Sequence, residues 1–249
     1  MLRVVICALV GISLFAGEGE AKPKLSVIYQ DYVKPSHVMA YESSTKMMIE
    51  TLGKMENRSE FMKFHTYASD RFVYTYVTPI ENFASMDSMH EAWDSAFMSM
   101  PEDMQGKMME AMETVDHYNM FVVAFRPELS FVNPNGKVSP DTAPFVHYSF
   151  YMIQPGKEQV FEEVCKGFAA MMAKDSGETF TVHQKVSGEN MPAYAVIHYG
   201  NSQSQIMAYF ESFMAKMSAE AQKLMGQSTS VTRAHESMFG MARPDLSLQ

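Results

Sequence analysis

The chain has 249 residues, 47% of them hydrophobic, and a net charge of −9 at pH 7. That is enough for one large domain or two of roughly 100 residues each. The acidic balance and the lack of a clustered Lys/Arg stripe exclude nucleic acid held through its phosphates.

Met1-Leu-Arg3 opens the chain and an apolar run follows from Val4 to Ala16. The run is short of the roughly 20 residues that span a bilayer. With its basic start and the small-x-small exit at Gly19-Glu20-Ala21, it reads as a secretory leader over residues 1–21. The remainder is expected to be exported, periplasmic or extracellular, with no membrane anchor after cleavage. Of the two cysteines only Cys165 lies beyond the leader, so no intrachain disulfide is expected. Its apolar helical neighbours Val164 and Phe168 mark a buried, inert thiol.

"SVIYQDYV" (Ser26 to Val33) is rich in aromatic and β-branched residues and predicts a strand. Pro35 follows where a helix begins, a place that tolerates the missing N–H. Tyr41, Thr45, Met48 and Leu52 then form one helical face. "FMKFHTYAS" and "RFVYTYVTPI" predict two strands. A helical region follows, marked by Met89, Trp93, Phe97 and Met100 and continued by Met104, Met108 and Met112. "YNMFVVAF" predicts a strand running into "FRPELS" (Phe125 to Ser130), and the Pro-rich stretch 132–144 reads as a linker. Beyond it the series returns: strand "FVHYSFYMI", Pro155, a helical face of Phe161, Cys165, Phe168 and Met172, strands "FTVHQKVS" and "AYAVIHYG". A helical region with Ile206, Phe210, Phe213 and Met217 comes next, then "ESMFGMA" running into "ARPDLS".

Pro35, Tyr41, Glu42 and Lys46 match Pro155, Phe161, Glu162 and Lys166 at an offset of 120, and the two Arg-Pro strings recur at 117. Between them His65 faces His183 at an offset of 118. Shared order at nearly constant offset points to an internal duplication. The expected fold is α+β: two tandem ferredoxin-like βαββαβ halves, 22–131 and 145–249, packed sheet to sheet as a fused barrel. This order of elements, the aromatic-rich strands and the "VKP"/"IQPG" helix entries resemble the dimeric α+β barrel superfamily. That superfamily includes NIPSNAP-like proteins and antibiotic-biosynthesis-type monooxygenases. The resemblance implies either a small-molecule binding protein or a cofactor-independent oxygenase acting on an electron-rich aromatic. The Arg-Pro strings read as punctuation closing each copy, since proline breaks a sheet ladder.

If apolar strand residues face the helices, the opposite parity faces the other sheet. That places His65 and His183 as pseudo-symmetric lumen residues, with Tyr67, Tyr29, Asp31 and Tyr151 as further polar candidates. His117 and His235 open the last strands, and pairing them requires a one-residue slip. A lumen so lined would take a small, largely apolar ligand, with a neutral imidazole as hydrogen-bond partner. Homo-oligomers are compatible with this architecture but not required by it.

The chain has 25 methionines, while beyond the leader leucine stands only at 25, 52, 129, 224, 246 and 248. Methionine is expected to fill the core in leucine's place. A copper-binding reading would use Met98, Met100 and Met104. "HEAWD" (His90 to Asp94) lacks the second His of a zinc-protease helix, and no nucleophile elbow, P-loop or dinucleotide fingerprint occurs. No cofactor has its usual signature.

Overall fold

The computed structural model describes residues 24–55, 62–175 and 177–249. The leader expected over 1–21 lies outside the described residues. In chain order the elements are β1 (Leu25–Val33), α1 (Val38–Gly53), β2 (His65–Ser69), β3 (Val73–Ile80), α2 (Ser85–Ser99), α3 (Glu102–Met112) and β4 (Val115–Phe125). They continue with β5 (Phe145–Ile153), α4 (Glu158–Asp175), β6 (Phe180–Lys185), β7 (Ala193–Gly200), α5 (Gln203–Ala215), α6 (Ala219–Val231) and β8 (Thr232–Ala242). Among the described residues no helix is long and apolar enough to cross a membrane.

The eight strands close an antiparallel barrel in the order β1-β3-β2-β8-β5-β7-β6-β4. Two short seams complete it. Tyr67–Ser69 of β2 pair with Gly240–Ala242 of β8, and Val123–Phe125 of β4 pair with His183–Lys185 of β6. Pairing geometry recurs along the chain: β1 against β3 and β5 against β7 share one register at an offset of 120 residues. Bulges fall at Tyr32/Val33 and at Met152/Ile153, the same offset.

The second helical region of each part, read from sequence as one element, is two helices. Pro101 separates α2 from α3 because the residue before proline is driven extended, and Met100 stands at ψ 152. Ser218 starts α6 afresh by accepting a hydrogen bond from Ala221 N.

Each Arg-Pro string is more than punctuation. Pro127–Leu129 and Pro244–Leu246 form 3-10 turns whose leucines are fully buried. Arg126 Nη1 donates to Glu162 Oε1 of α4 at 2.9 Å, and Arg243 Nη2 donates to Glu42 Oε2 of α1 at 2.8 Å. Tyr194 and Tyr74 hydroxyls donate to the same two carboxylates at 2.7 Å. Ser130 and Ser247 accept from Val182 N at 2.8 Å and Thr66 N at 2.9 Å. The last turn of each part of the chain thus clasps the first helix and the second strand of the other part.

These contacts correct one pairing expected from sequence. His65 lies opposite Val77, whereas His183 lies opposite Ala195, and the β1–β3 and β5–β7 registers make Val77 equivalent to Ile197. The partner of Ile197 is Thr181, so Thr181 is the counterpart of His65, and Tyr67 is that of His183. A slip of two residues preserves the side-chain face, which is why face periodicity alone did not expose it.

Candidate functional site

The larger cavity lies outside the barrel, between the outer face of β5–β8 and helices α4–α6, with a volume of about 590 Å³. The 4-3-4 spacing of Phe161, Cys165, Phe168 and Met172 turns one face of α4 toward it. Phe210 and Phe213 of α5 and Met225 and Ser228 of α6 form the other helical walls, and Tyr151, Val196 and His198 its floor. Arg233 and His235 of β8 also line it, and both residues are exposed to solvent. Arg233 donates to the carbonyls of Ile153 and Met191, at 3.3 and 3.4 Å.

The His198 imidazole of the floor meets a second one, that of His147, which does not line the cavity. His147 and His198 are direct cross-strand partners, and Phe210 stands edge-on to both, at 5.1 and 5.0 Å between ring centres. The Nδ1 atoms of both are buried without a hydrogen-bond partner. Burial, reinforced by His147, pushes the His198 pKa down to about 3. Burial followed by the nearby His235 pushes His147 down as well. Both rings are therefore neutral near pH 7. The Cys165 thiol is pushed up to about 12, chiefly by burial and then by Glu162, so it stays protonated.

The corresponding positions of the first part carry a polar cluster instead. Where the second part has Tyr151, Phe161 and Val196, the first has Asp31, Tyr41 and Tyr76. Tyr41 donates to Asp31 Oδ2 at 2.6 Å and makes a short hydroxyl–hydroxyl contact with Tyr76. Burial holds the Asp31 carboxyl above its usual range, partly offset by that Tyr41 hydrogen bond. Tyr29 stacks on Tyr118 at 5.3 Å.

A second, smaller cavity of about 160 Å³ is the barrel lumen. His183 and Tyr67 line it, as their strand parity predicts. Burial lowers the His183 pKa to about 4. His65 shares that parity but sits exposed at the start of β2 and does not line the lumen cavity. Tyr29, Asp31 and Tyr151 do not face the lumen as expected: they lie on the helix-covered side, while Ser26, Ile28 and Gln30 face inward. In β1 both faces are buried, so polarity did not report which was which. His117 and His235 are not counterparts. His117 stacks on Tyr32 at 4.1 Å and pairs with Asp116, whereas His235 lies opposite Tyr151 on the helix side.

The methionine triad is not assembled. Met98 is 74% exposed, while Met100 and Met104 pack in the apolar cluster around Leu52 and Phe64. His147, His198 and Arg233 escaped the sequence reading. In "FVHYSFYMI" both parities are aromatic or apolar, so nothing in the alternation singles out the histidine.

No family model matches the chain, and no curated protein matches it. Solved structures do. An anthrone oxidase-like protein is similar over 89% of this chain and 92% of its own, with TM-score 0.63 and 9% identity. A candidate monooxygenase from Fusobacterium nucleatum is similar over 88% and 92%, with TM-score 0.55 and 9% identity. A mutant chlorite dismutase from Candidatus Nitrospira defluvii is similar over 89% and 92%, with TM-score 0.54 and 9% identity. At such identities the likeness is one of fold, that of the dimeric α+β barrel proteins.

Proposed function

We propose that this chain binds a small, largely aromatic molecule in the cavity between β5–β8 and α4–α6. The observation that carries the reading is the buried, unpartnered Nδ1 of His198 in a cavity of about 590 Å³ with largely aromatic and aliphatic walls. That volume falls within the range of small-molecule sites, in which a few polar groups orient a ligand among apolar walls. An orphaned buried polar atom costs about 1–3 kcal/mol, which a ligand hydrogen bond recovers. An imidazole pushed down to about 3 is neutral and a weak base at neutral pH, so its role is hydrogen bonding rather than proton transfer. In this reading the ligand lies under the helices, and the space between the sheets is a separate cavity.

The test is fluorescence titration with 1-aminoanthracene as probe. Saturable binding that Ser228→Trp abolishes by filling the rim, and that His198→Phe weakens about tenfold, is expected. Failure of the probe to saturate, or indifference to Ser228→Trp, sinks the reading.

A second reading is favoured by the names of the fold neighbours, an anthrone oxidase-like protein and candidate monooxygenases. In it, the same cavity hosts oxidation of an electron-rich aromatic by O2: a ring CH2 loses a proton to solvent-exposed His235 and becomes C=O, supplying all four electrons, with one oxygen atom retained and the other leaving as water. Oxygen uptake that His235→Gln removes would favour it over simple binding.

The repeated register and paired bulges support descent of 22–131 and 145–249 from one duplicated ferredoxin-like unit joined by 132–144. Export after removal of residues 1–21 belongs to the same reading, and the intact mass of secreted protein tests it.

A further inference from the structure

The barrel lumen is separate from the cavity under the helices and carries its own signature. Several of its polar groups are paired among themselves, and one buried hydroxyl is not. Thr181 Oγ1 bonds the Tyr199 hydroxyl at 2.7 Å and His183 Nε2 at 3.1 Å, and Gln30 Nε2 donates to Thr75 Oγ1 at 3.3 Å. Tyr148 is 6% exposed and lines this space, yet its hydroxyl has no hydrogen-bond partner. Thr75 lies near enough to offset slightly the burial that raises the Tyr148 pKa to about 12, but not in hydrogen-bond geometry. The phenol is thus a neutral, unspent donor.

The remaining wall is apolar, with Phe121 and Phe150 edge-to-face at 6.0 Å. Among the described residues no Asp, Glu, Lys or Arg lines the cavity. The ammonium of Lys185, outside that lining, rests over the Phe121 ring at 4.3 Å. A volume of about 160 Å³ is close to that of an engineered protein cavity of about 150 Å³ that takes up benzene.

We propose that the lumen is a second ligand site, for a neutral single-ring molecule carrying one hydrogen-bonding group that meets the Tyr148 hydroxyl. The ring lies against Phe121 and Phe150, and its polar atom bonds the Tyr148 hydroxyl. The inference is independent of the larger cavity, and the experiment separates the two.

Phenol and toluene are titrated calorimetrically into the full chain carrying Ser228→Trp, which blocks the larger cavity. Saturable binding of both is expected. Tyr148→Phe is expected to weaken phenol about tenfold while leaving toluene unchanged, the signature of one lost hydrogen bond. The same substitution should leave folding stability undiminished, because it removes a buried hydroxyl that bonds nothing. Ala195→Leu, which fills the lumen, should abolish both titrations. If that variant fails to fold, the phenol–toluene split in Tyr148→Phe still decides. Absence of saturable phenol binding means the lumen holds water only and overturns the proposal. Equal loss of phenol and toluene on Tyr148→Phe, or no loss of either, also overturns it.

Discussion

His198 and His183 are both desolvated imidazoles, and each is neutral for the same reason: burial penalises the imidazolium. Their folded pKa values, about 3 and about 4, lie below the unfolded value near 6.5. Below pH 6.5 the unfolded chain therefore takes up protons that the folded one refuses, and stability falls as pH falls. Each histidine contributes up to about 1.4 kcal/mol per pH unit across that window, and the loss is complete below its folded pKa. The carboxylates of Glu42 and Asp245 are held down chiefly by hydrogen bonds from Arg243, so they act only below about pH 4. Urea unfolding between pH 7 and 4.5 should show wild-type stability declining, with protonation of Asp31, whose carboxyl burial holds above its usual range, opposing the trend. In His198→Phe the decline should be shallower by one group. A flat profile in the wild type would show that the two rings are not desolvated.

The helices over the larger cavity differ in how they are started. Ser202 and Ser218 cap α5 and α6, accepting from Gln205 N and Ala221 N, both at 3.1 Å, whereas α2 and α3 start at Ala84 and Pro101 with no side-chain cap. Ser218→Ala should cost about 1 kcal/mol in urea unfolding and speed amide exchange in the first turn of α6 while leaving α4 unchanged. At this scale much was legible. The 4-3-4 spacing on α4 located its buried face, and Val182 against His183 located the two sides of β6. β1 was not legible, since Asp31 bonds Tyr41 of α1 and Tyr29 stacks on Tyr118, although both were expected inside. Asp31 is accommodated there by the Tyr41 hydroxyl, a partner ten residues away that no strand pattern announces.

At the scale of the molecule, two short seams close the barrel and two arginine clasps reinforce them. Arg243 and Glu42 are 201 residues apart, their side chains only 14% and 24% exposed. Charge-assisted hydrogen bonds of this kind are worth roughly 1.5–3 kcal/mol. A protease site placed at Gly136 within the 132–144 segment should yield two fragments that still elute together, because separation would leave four strand edges unpaired. Adding Arg126→Gln and Arg243→Gln should lower the urea midpoint of the uncut chain by the equivalent of about 2 kcal/mol per clasp. The nicked double variant should then separate at a urea concentration where the nicked wild type remains whole. Fragments that part without urea in the wild type would show that the seams and clasps do not hold the barrel closed.

The sequence by itself determined the strands, the helical faces, the recurrence of both along the chain and the turn at each Arg-Pro string, because each rests on spacing within a few residues. Only the tertiary structure decided which strand face looks inward, which residues are true counterparts, and where the open space lies. A closed barrel wrapped in helices buries both faces of a strand, so alternation carries no polar contrast, and a two-residue slip leaves every side chain on its original side. Those choices are made by partners more than 100 residues away, Glu42 with Arg243 and Thr66 with Ser247 among them.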